Sequence, residues 1–293
     1  MENTRKSFRK RIEKERIIIA PGVYDSFTAK LAEHVGFEAI YVTGAGVAAS
    51  LLGVPDIGLV TMTEQVEQAR RIVSAVDLPV ICDADTGYGN ALNVIRTVRE
   101  FEKAGVCAIH LEDQVMPKRC GHLEGKKLVS AAEMVNKLKA ALDTRTDSNF
   151  LIIARTDSRA VFGLQDAIDR GLMYAEAGAD LIFIEAPESR EELTKIGSSF
   201  GQVPLLVNRG GGGKTPPISA SDLEAMGYRI VIFPGDVQKA AGKAALDVLN
   251  TLKGRGNVDT LQDKMMTFEQ RFQVLGLEEF RRLELLYSEE IAK

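Results

Sequence analysis

At 293 residues and 45% apolar composition, the chain has enough hydrophobic material for one large folded domain or two ordinary ones. Lys+Arg 37 against Asp+Glu 41 leaves a formal charge of -4, which argues against a nucleic-acid partner, because such domains are basic. No apolar run approaches the roughly eighteen residues that span a bilayer, and the charged stretch from Met1 to Arg16 lacks the apolar core of a signal peptide.

Taken in chain order, short aliphatic runs recur at residues 17–20, 39–42, 79–82, 108–111, 151–154, 181–184, 205–207 and 230–233. Amphipathic helical patterns fall between them, as at 91–104, 164–177 and 219–226. Gly105 and Gly178 supply C-terminal caps before the next strand. Continuous apolar strands separated by helices read as a parallel sheet buried on both faces. Eight such units fit a (β/α)8 TIM barrel better than an open doubly wound sheet. Beyond the last run, residues 236–252 read as an eighth helix, followed by a break at Gly254–Gly256 and a helical tail from Asp259. The expectation is one barrel domain over 1–293, with 254–293 as a C-terminal helical extension. The tail carries Phe268, Phe272, Leu275, Phe280, Leu283 and Leu286, apolar surface that calls for the barrel or a neighbouring subunit as cover.

The runs end in polar or small residues: Thr43-Gly44-Ala45-Gly46, Asp83-Ala84-Asp85, Glu112-Asp113, Arg155-Thr156-Asp157, Glu185 and Asn208. In TIM barrels, active sites are built from these strand ends and the loops that follow. Asp83 and Asp85, two apart on an extended strand end, point the same way. With Glu112 and Asp56 they make an all-oxygen set that suits Mg²⁺ or Mn²⁺; the alternative is a set of capping or ion-paired carboxylates. Arg155 is either a fork for a substrate carboxylate or the partner of a buried acid. The Thr43–Gly46 glycine turn offers backbone N–H groups to an anion, or is simply a tight turn. Tyr41 reads as a core aromatic or as a phenol facing the acids, and His110, on the side of Glu112, as structural support.

The connection 113–129 is long for a βα loop and carries Cys120, Gly121, His122 and four cations. Cations and an imidazole favour the thiolate, so Cys120 could exchange a proton near neutral pH from a closing lid. The plainer alternative is an exposed basic loop that contains a cysteine. Cys82, Cys107 and Cys120 show no C-x-x-C and no metal-ligand spacing, which fits a reducing, cytoplasmic setting.

With Leu52-Gly53-Val54-Pro55-Asp56, Asp83-Ala84-Asp85-Thr86-Gly87-Tyr88-Gly89, His110-Leu111-Glu112-Asp113-Gln114, Lys118-Arg119-Cys120-Gly121-His122 and Ala154-Arg155-Thr156-Asp157, the chain resembles the isocitrate lyase/phosphoenolpyruvate mutase superfamily. Its nearest branches are the 2-methylisocitrate lyases, the 2,3-dimethylmalate and oxaloacetate-cleaving enzymes, and the carboxyphosphonoenolpyruvate mutases. The resemblance implies a Mg²⁺-dependent barrel, a homotetramer built from dimers that exchange the eighth helix. It implies Asp83 as the direct metal ligand, with Asp56, Asp85 and Glu112 acting mostly through water. Thr43, Gly44, Ala45 and Gly121 would receive substrate, with Arg155 at the reacting region and His122, Glu185 and Asn208 on the remote carboxylate side. Cys120 would protonate an enolate-like product, and Tyr41 would handle the hydroxyl proton. The implied reaction cleaves a 2-hydroxy di- or tricarboxylate to pyruvate or glyoxylate plus a carboxylate; a phosphonomutase or an oxaloacetate hydrolase is the alternative.

Two segments depart from the pattern. Asn208-Arg209-Gly210-Gly211-Gly212-Gly213-Lys214-Thr215-Pro216 lacks the acid common in relatives, and Pro234-Gly235-Asp236 replaces a usual Pro-Leu-Ser. Both lie where the distal part of a substrate would sit.

Overall fold

The computed structural model of the chain describes residues 2–14, 16–121 and 123–288. Eight parallel strands close into a barrel in chain order: β1 (Ile18–Val23), β2 (Ile40–Val42), β3 (Val80–Asp83), β4 (Ala108–Glu112), β5 (Leu151–Thr156), β6 (Leu181–Ile184), β7 (Leu205–Asn208) and β8 (Tyr228–Phe233). The doubly wound alternative is thereby excluded. Helices join the strands, and their ends follow local chemistry. Asn90 caps Ala91–Ala104 by accepting from the Leu92 and Asn93 backbone N–H groups, and Gly105 closes it in the left-handed region.

Alternation along each strand divides the chemistry. Outward residues such as Val80, Cys82, Ile109, Ile152, Ile182, Val207 and Val231 join the helices in one buried layer. Inward residues run from apolar at the strand starts to polar at the ends: Ile81 then Asp83, Ile153 then Arg155, Phe183 then Glu185, Leu206 then Asn208. The strand starts are plugged by the N-terminal helix Glu2–Ile12, whose Phe8 and Ile12 are buried in this interior layer. Arg5 pins that helix by donating to the Val106 carbonyl at 2.9 Å. The charged look of the N-terminus hid this apolar stripe.

The last helix of the barrel runs Asp236–Arg255 and ends at left-handed Gly256, three residues later than its pattern suggested. It buries none of its residues, and Leu246 and Leu249 lie about 60% exposed. The tail is helical, as a 3-10 turn (Asp259–Lys264) and two helices, Phe268–Val274 and Leu277–Tyr287. Phe268, Phe272 and Phe280 remain exposed, so the single chain does not cover the surface that the sequence marked as needing cover. Among the described residues, no helix is long and apolar enough to cross a membrane.

Candidate active site

At the C-terminal ends of the strands lies a cavity of about 310 Å³, lined among others by Tyr41, Thr43, Ala45, Asp56, Asp83, Cys120, Gly121, Arg155, Glu185 and Asn208. Register brings its inward groups into one layer: Asp83 pairs with His110 across β3–β4, and Glu112 with Arg155 across β4–β5.

The four acids all lie around one lysine, Lys118, and do not come as a single set of strand neighbours. β3 ends at Asp83, and Asp85 lies beyond it at φ 46°, in the left-handed region. Its orientation comes from a turn in which its N–H donates to Asp83 Oδ1 at 2.9 Å, not from strand alternation. Lys118 enters from the long loop, its ammonium 2.8 Å from Asp85 Oδ1 and bonded to Asp56. Among the described residues, no three His, Cys, Asp or Glu side chains converge as a closed metal shell, because this lysine and Arg155 stand between the carboxylates.

Burial and neighbouring charge divide the protonation of the cluster. Burial pushes Asp85 up to about 6, Lys118 opposes that, and Asp83 and Asp56 add to it. Burial also raises Glu112 well above the usual carboxylate range against the pull of Arg155, and its buried Oε1 has no hydrogen-bond partner. Burial alone would raise Asp83 as well, but His110, Lys118 and Arg155 hold it near 2. His110 is itself pushed down to about 4 by burial, so at neutral pH the two cations keep Asp83 ionised. An ionised acid among under-compensated oxygen donors suits a hard divalent cation that keeps much of its water.

Asp85 makes a prediction of its own. Its folded pKa of about 6 exceeds the unfolded 3.8, so the folded state holds the proton more tightly. The stability it contributes is complete below about pH 4 and is lost as pH rises through 6, on the order of 3 kcal/mol. Asp83 titrates below this window. Urea denaturation of the metal-free chain between pH 4 and 7 is expected to show a shallower decline for Asp85→Asn than for wild type; equal slopes would refute the assignment.

Both readings of Tyr41 hold at once. The ring is buried and stacked on His110, while its hydroxyl lies 2.7 Å from His110 Nε2 and 3.4 Å from Asp83 Oδ2. Burial, with Asp83, drives its pKa far up, so it acts as a phenol and not as a phenolate. Thr43 caps the short helix Gly44–Val47, so the glycine turn is a helix start rather than a free loop. A Cβ on Gly44 would stand 2.6 Å from Asp83 Oδ2, which is why glycine occupies that position.

Arg155 is fully surrounded. Burial would depress its guanidinium, but Asp157, Glu112 and Glu185 outweigh that and hold it charged. Its Nε lies 3.0 Å from Asp157 and 3.4 Å from Glu112, its Nη2 lies 3.8 Å from Glu185, and the group stacks over Phe183. Asn208 donates to Glu185 at 3.3 Å and accepts from the Gly210 N–H at 3.0 Å, linking this wall to the glycine run. Gly211 is clamped by the first turn of the last barrel helix: Asp236 accepts from its N–H at 2.9 Å, and Lys239 donates to its carbonyl at 2.5 Å.

The long loop is folded onto the mouth. Gln114 and Leu128 bridge its base, and the Cys120 N–H donates to the Asp56 carbonyl at 3.1 Å. A Cβ on Gly121 would meet Arg155 Nη2 and Glu185 Cγ at 2.6 Å each, so the loop lies directly on the wall. The exposed-loop reading of the basic segment is corrected in part: Lys118 and Lys126 are buried and ion-paired with Asp56, Asp85 and Asp157. His122 lies outside the described residues. Lys118 and Asp157 were missed as site residues, although each sits inside a motif that drew attention for its neighbour.

The comparisons agree with this geometry. The family model described as Phosphoenolpyruvate phosphomutase matches residues 8–253. The chain is 49% identical to 2,3-dimethylmalate lyase of Eubacterium barkeri, over 98% of this chain and 99% of the relative. It is 46% identical to 2-methylisocitrate lyase of Aeropyrum pernix, over 94% and 88%. The solved structure of an oxaloacetate acetylhydrolase with 3,3-difluorooxalacetate superposes with a TM-score of 0.92 at 36% identity, covering 97% of this chain and 96% of that one. The chain belongs to the phosphoenolpyruvate phosphomutase family, within the isocitrate lyase/phosphoenolpyruvate mutase superfamily.

Proposed function

We propose that this carbon–carbon lyase cleaves the C2–C3 bond of an alkyl-substituted 2-hydroxy dicarboxylate, of the 2,3-dimethylmalate type, releasing a 2-oxo acid and a carboxylate. The observation that carries the reading is Cys120, set on a loop that closes over Asp83 and the Arg155–Glu185–Asn208 wall. Backbone N–H groups of Gly44 and Ala45, opening the short helix that Thr43 caps, would take the carboxylate beside the hydroxyl, with Gly121 above; the Thr43 N–H is itself held by the Val23 carbonyl. The Tyr41 phenol would take the hydroxyl proton while giving its own to the neutral His110 Nε2, 2.7 Å away. As that proton leaves, the C2–C3 pair moves to C3 and C2 becomes a carbonyl. Arg155 faces the charge that develops on the departing half. The thiol of Cys120 then gives its proton to C3. Mg²⁺, or Mn²⁺, held directly by Asp83 and through water by Asp56, Asp85 and Glu112, would supply the Lewis acidity that favours loss of the hydroxyl proton.

Substrate size is read from the distal rim. It is backbone at Gly210, Gly212 and Gly213, apolar at Ile232 and Pro234, and its Lys239 is engaged with Gly211 opposite Asp236. That favours a small alkyl group over a third carboxylate, although 2-methylisocitrate is the competing substrate within the same reaction. A phosphonomutase is the second reading, favoured by the family model's own description. The discriminating assay follows 2-oxo acid release, coupled to lactate dehydrogenase, from 2,3-dimethylmalate, 2-methylisocitrate, isocitrate, oxaloacetate and citramalate. EDTA-sensitive release, fastest from 2,3-dimethylmalate, is expected. No release from any of them by a folded, metal-loaded chain would shift the reading to phosphonate chemistry.

The uncovered last barrel helix and tail support a homotetramer of dimers that exchange this helix. Light scattering is expected to give about four times the 32.0 kDa chain mass; a monomer would refute the exchange.

A further inference from the structure

Asp157 is fully buried, just past the end of β5, and the proposed chemistry does not use it. Its carboxylate forks Arg155, with Oδ2 accepting from Nε at 3.0 Å and Oδ1 from Nη2 at 3.2 Å. The same Oδ1 lies 3.3 Å from Lys126 Nζ, and that ammonium also donates to the carbonyl of Gly121. Gln114 also favours the ionised Asp157 carboxylate, and its side chain accepts from the Arg119 N–H and donates to the Arg119 carbonyl, each at 2.9 Å. From below, Asp113 Oδ1 accepts from the Asp157 backbone N–H at 3.0 Å, so the carboxylate has a rigid base. One side chain thus holds the substrate-facing arginine and, through Gln114 and Lys126, both flanks of Cys120–Gly121.

We infer that Asp157 is a positioning residue that couples closure of the 114–128 loop to the alignment of Arg155, presenting Cys120 only when the arginine is in place. The inference rests on the reading of Cys120 as the proton donor. A carboxylate that merely neutralised Arg155 would leave the loop closed when replaced.

The loop carries tryptic sites at Arg119, Lys126 and Lys127, so its opening is measurable without substrate. In limited trypsin digestion of the metal-free protein, Asp157→Asn is expected to speed cleavage after Arg119 and Lys127 about tenfold, the size of an ordinary pairwise coupling. Lys126→Gln is expected to do the same, and the double variant to cleave no faster than the faster single one. In turnover assays both variants are expected to lose kcat by about tenfold, with KM within about twofold. Unchanged cleavage, or independent effects that multiply in the double variant, would overturn the coupling. If Asp157→Asn does not fold, Lys126→Gln decides alone: an opened loop with lowered kcat supports the inference, and an opened loop with wild-type kcat overturns it. Digestion needs no substrate, so failure of the lyase reading leaves this readout standing and the two outcomes separable.

Discussion

Cys120→Ser is expected to lower kcat by about 10²- to 10⁴-fold, the range that general acid catalysis supplies, with Mg²⁺ affinity and thermal stability near wild type. The substitution keeps the shape of the side chain closely, but trades an acidic, weakly hydrogen-bonding thiol for a far less acidic hydroxyl. A serine hydroxyl is a far weaker acid than a thiol and cannot meet a developing carbanion with a proton of matched affinity. The backbone link to the Asp56 carbonyl, which holds the loop down, does not involve the side chain and survives. Steady-state kinetics with the substrate found in the oxo-acid assay, alongside a melting curve, decide the matter. Full activity in a folded Cys120→Ser protein would remove the thiol from its role. A Cys120→Ala variant with the same loss would show that the defect lies in the missing acid rather than in an added hydroxyl.

Removal of divalent metal is expected to have the second large effect. EDTA is expected to take turnover to background, and excess Mg²⁺ to restore it. Asp83→Asn should cost about 10³-fold in kcat/KM even at saturating metal, matching the several kcal/mol that Lewis-acid stabilisation contributes. The amide still accepts the Asp85 N–H, so the turn at 83–85 is retained and only the charge is lost. Asp56→Asn should cost less, about 10- to 100-fold, because Asp56 is bonded to Lys118 and would hold the metal only through water. Isothermal titration with Mg²⁺ separates the two: binding is expected to collapse in Asp83→Asn and to weaken in Asp56→Asn. EDTA-insensitive turnover would refute the role given to these acids.

Most of the barrel was legible before any coordinates. Apolar runs and intervening amphipathic stretches are local properties, and each of the eight runs overlaps an observed strand. Placement of His110 and Glu112 on one side of their strand followed from the two-residue period alone. Period reasoning failed at Asp85, because the strand ends two residues earlier and a left-handed turn takes over. It also failed at the N-terminus, where Phe8 and Ile12 stand among enough charges to hide a buried stripe.

What the sequence determined by itself is the closed barrel, the end of it that carries the chemistry, and the residue types gathered there. These depend on neighbours a few positions apart. Only the tertiary structure decided how the charges divide. Lys118 reaches Asp56 across 62 positions, and Asp157 joins Arg155 to Lys126. Such pairings are set by barrel closure and by the path of one long loop, and the burial they cause turns ordinary carboxylates into groups with separate protonation behaviour.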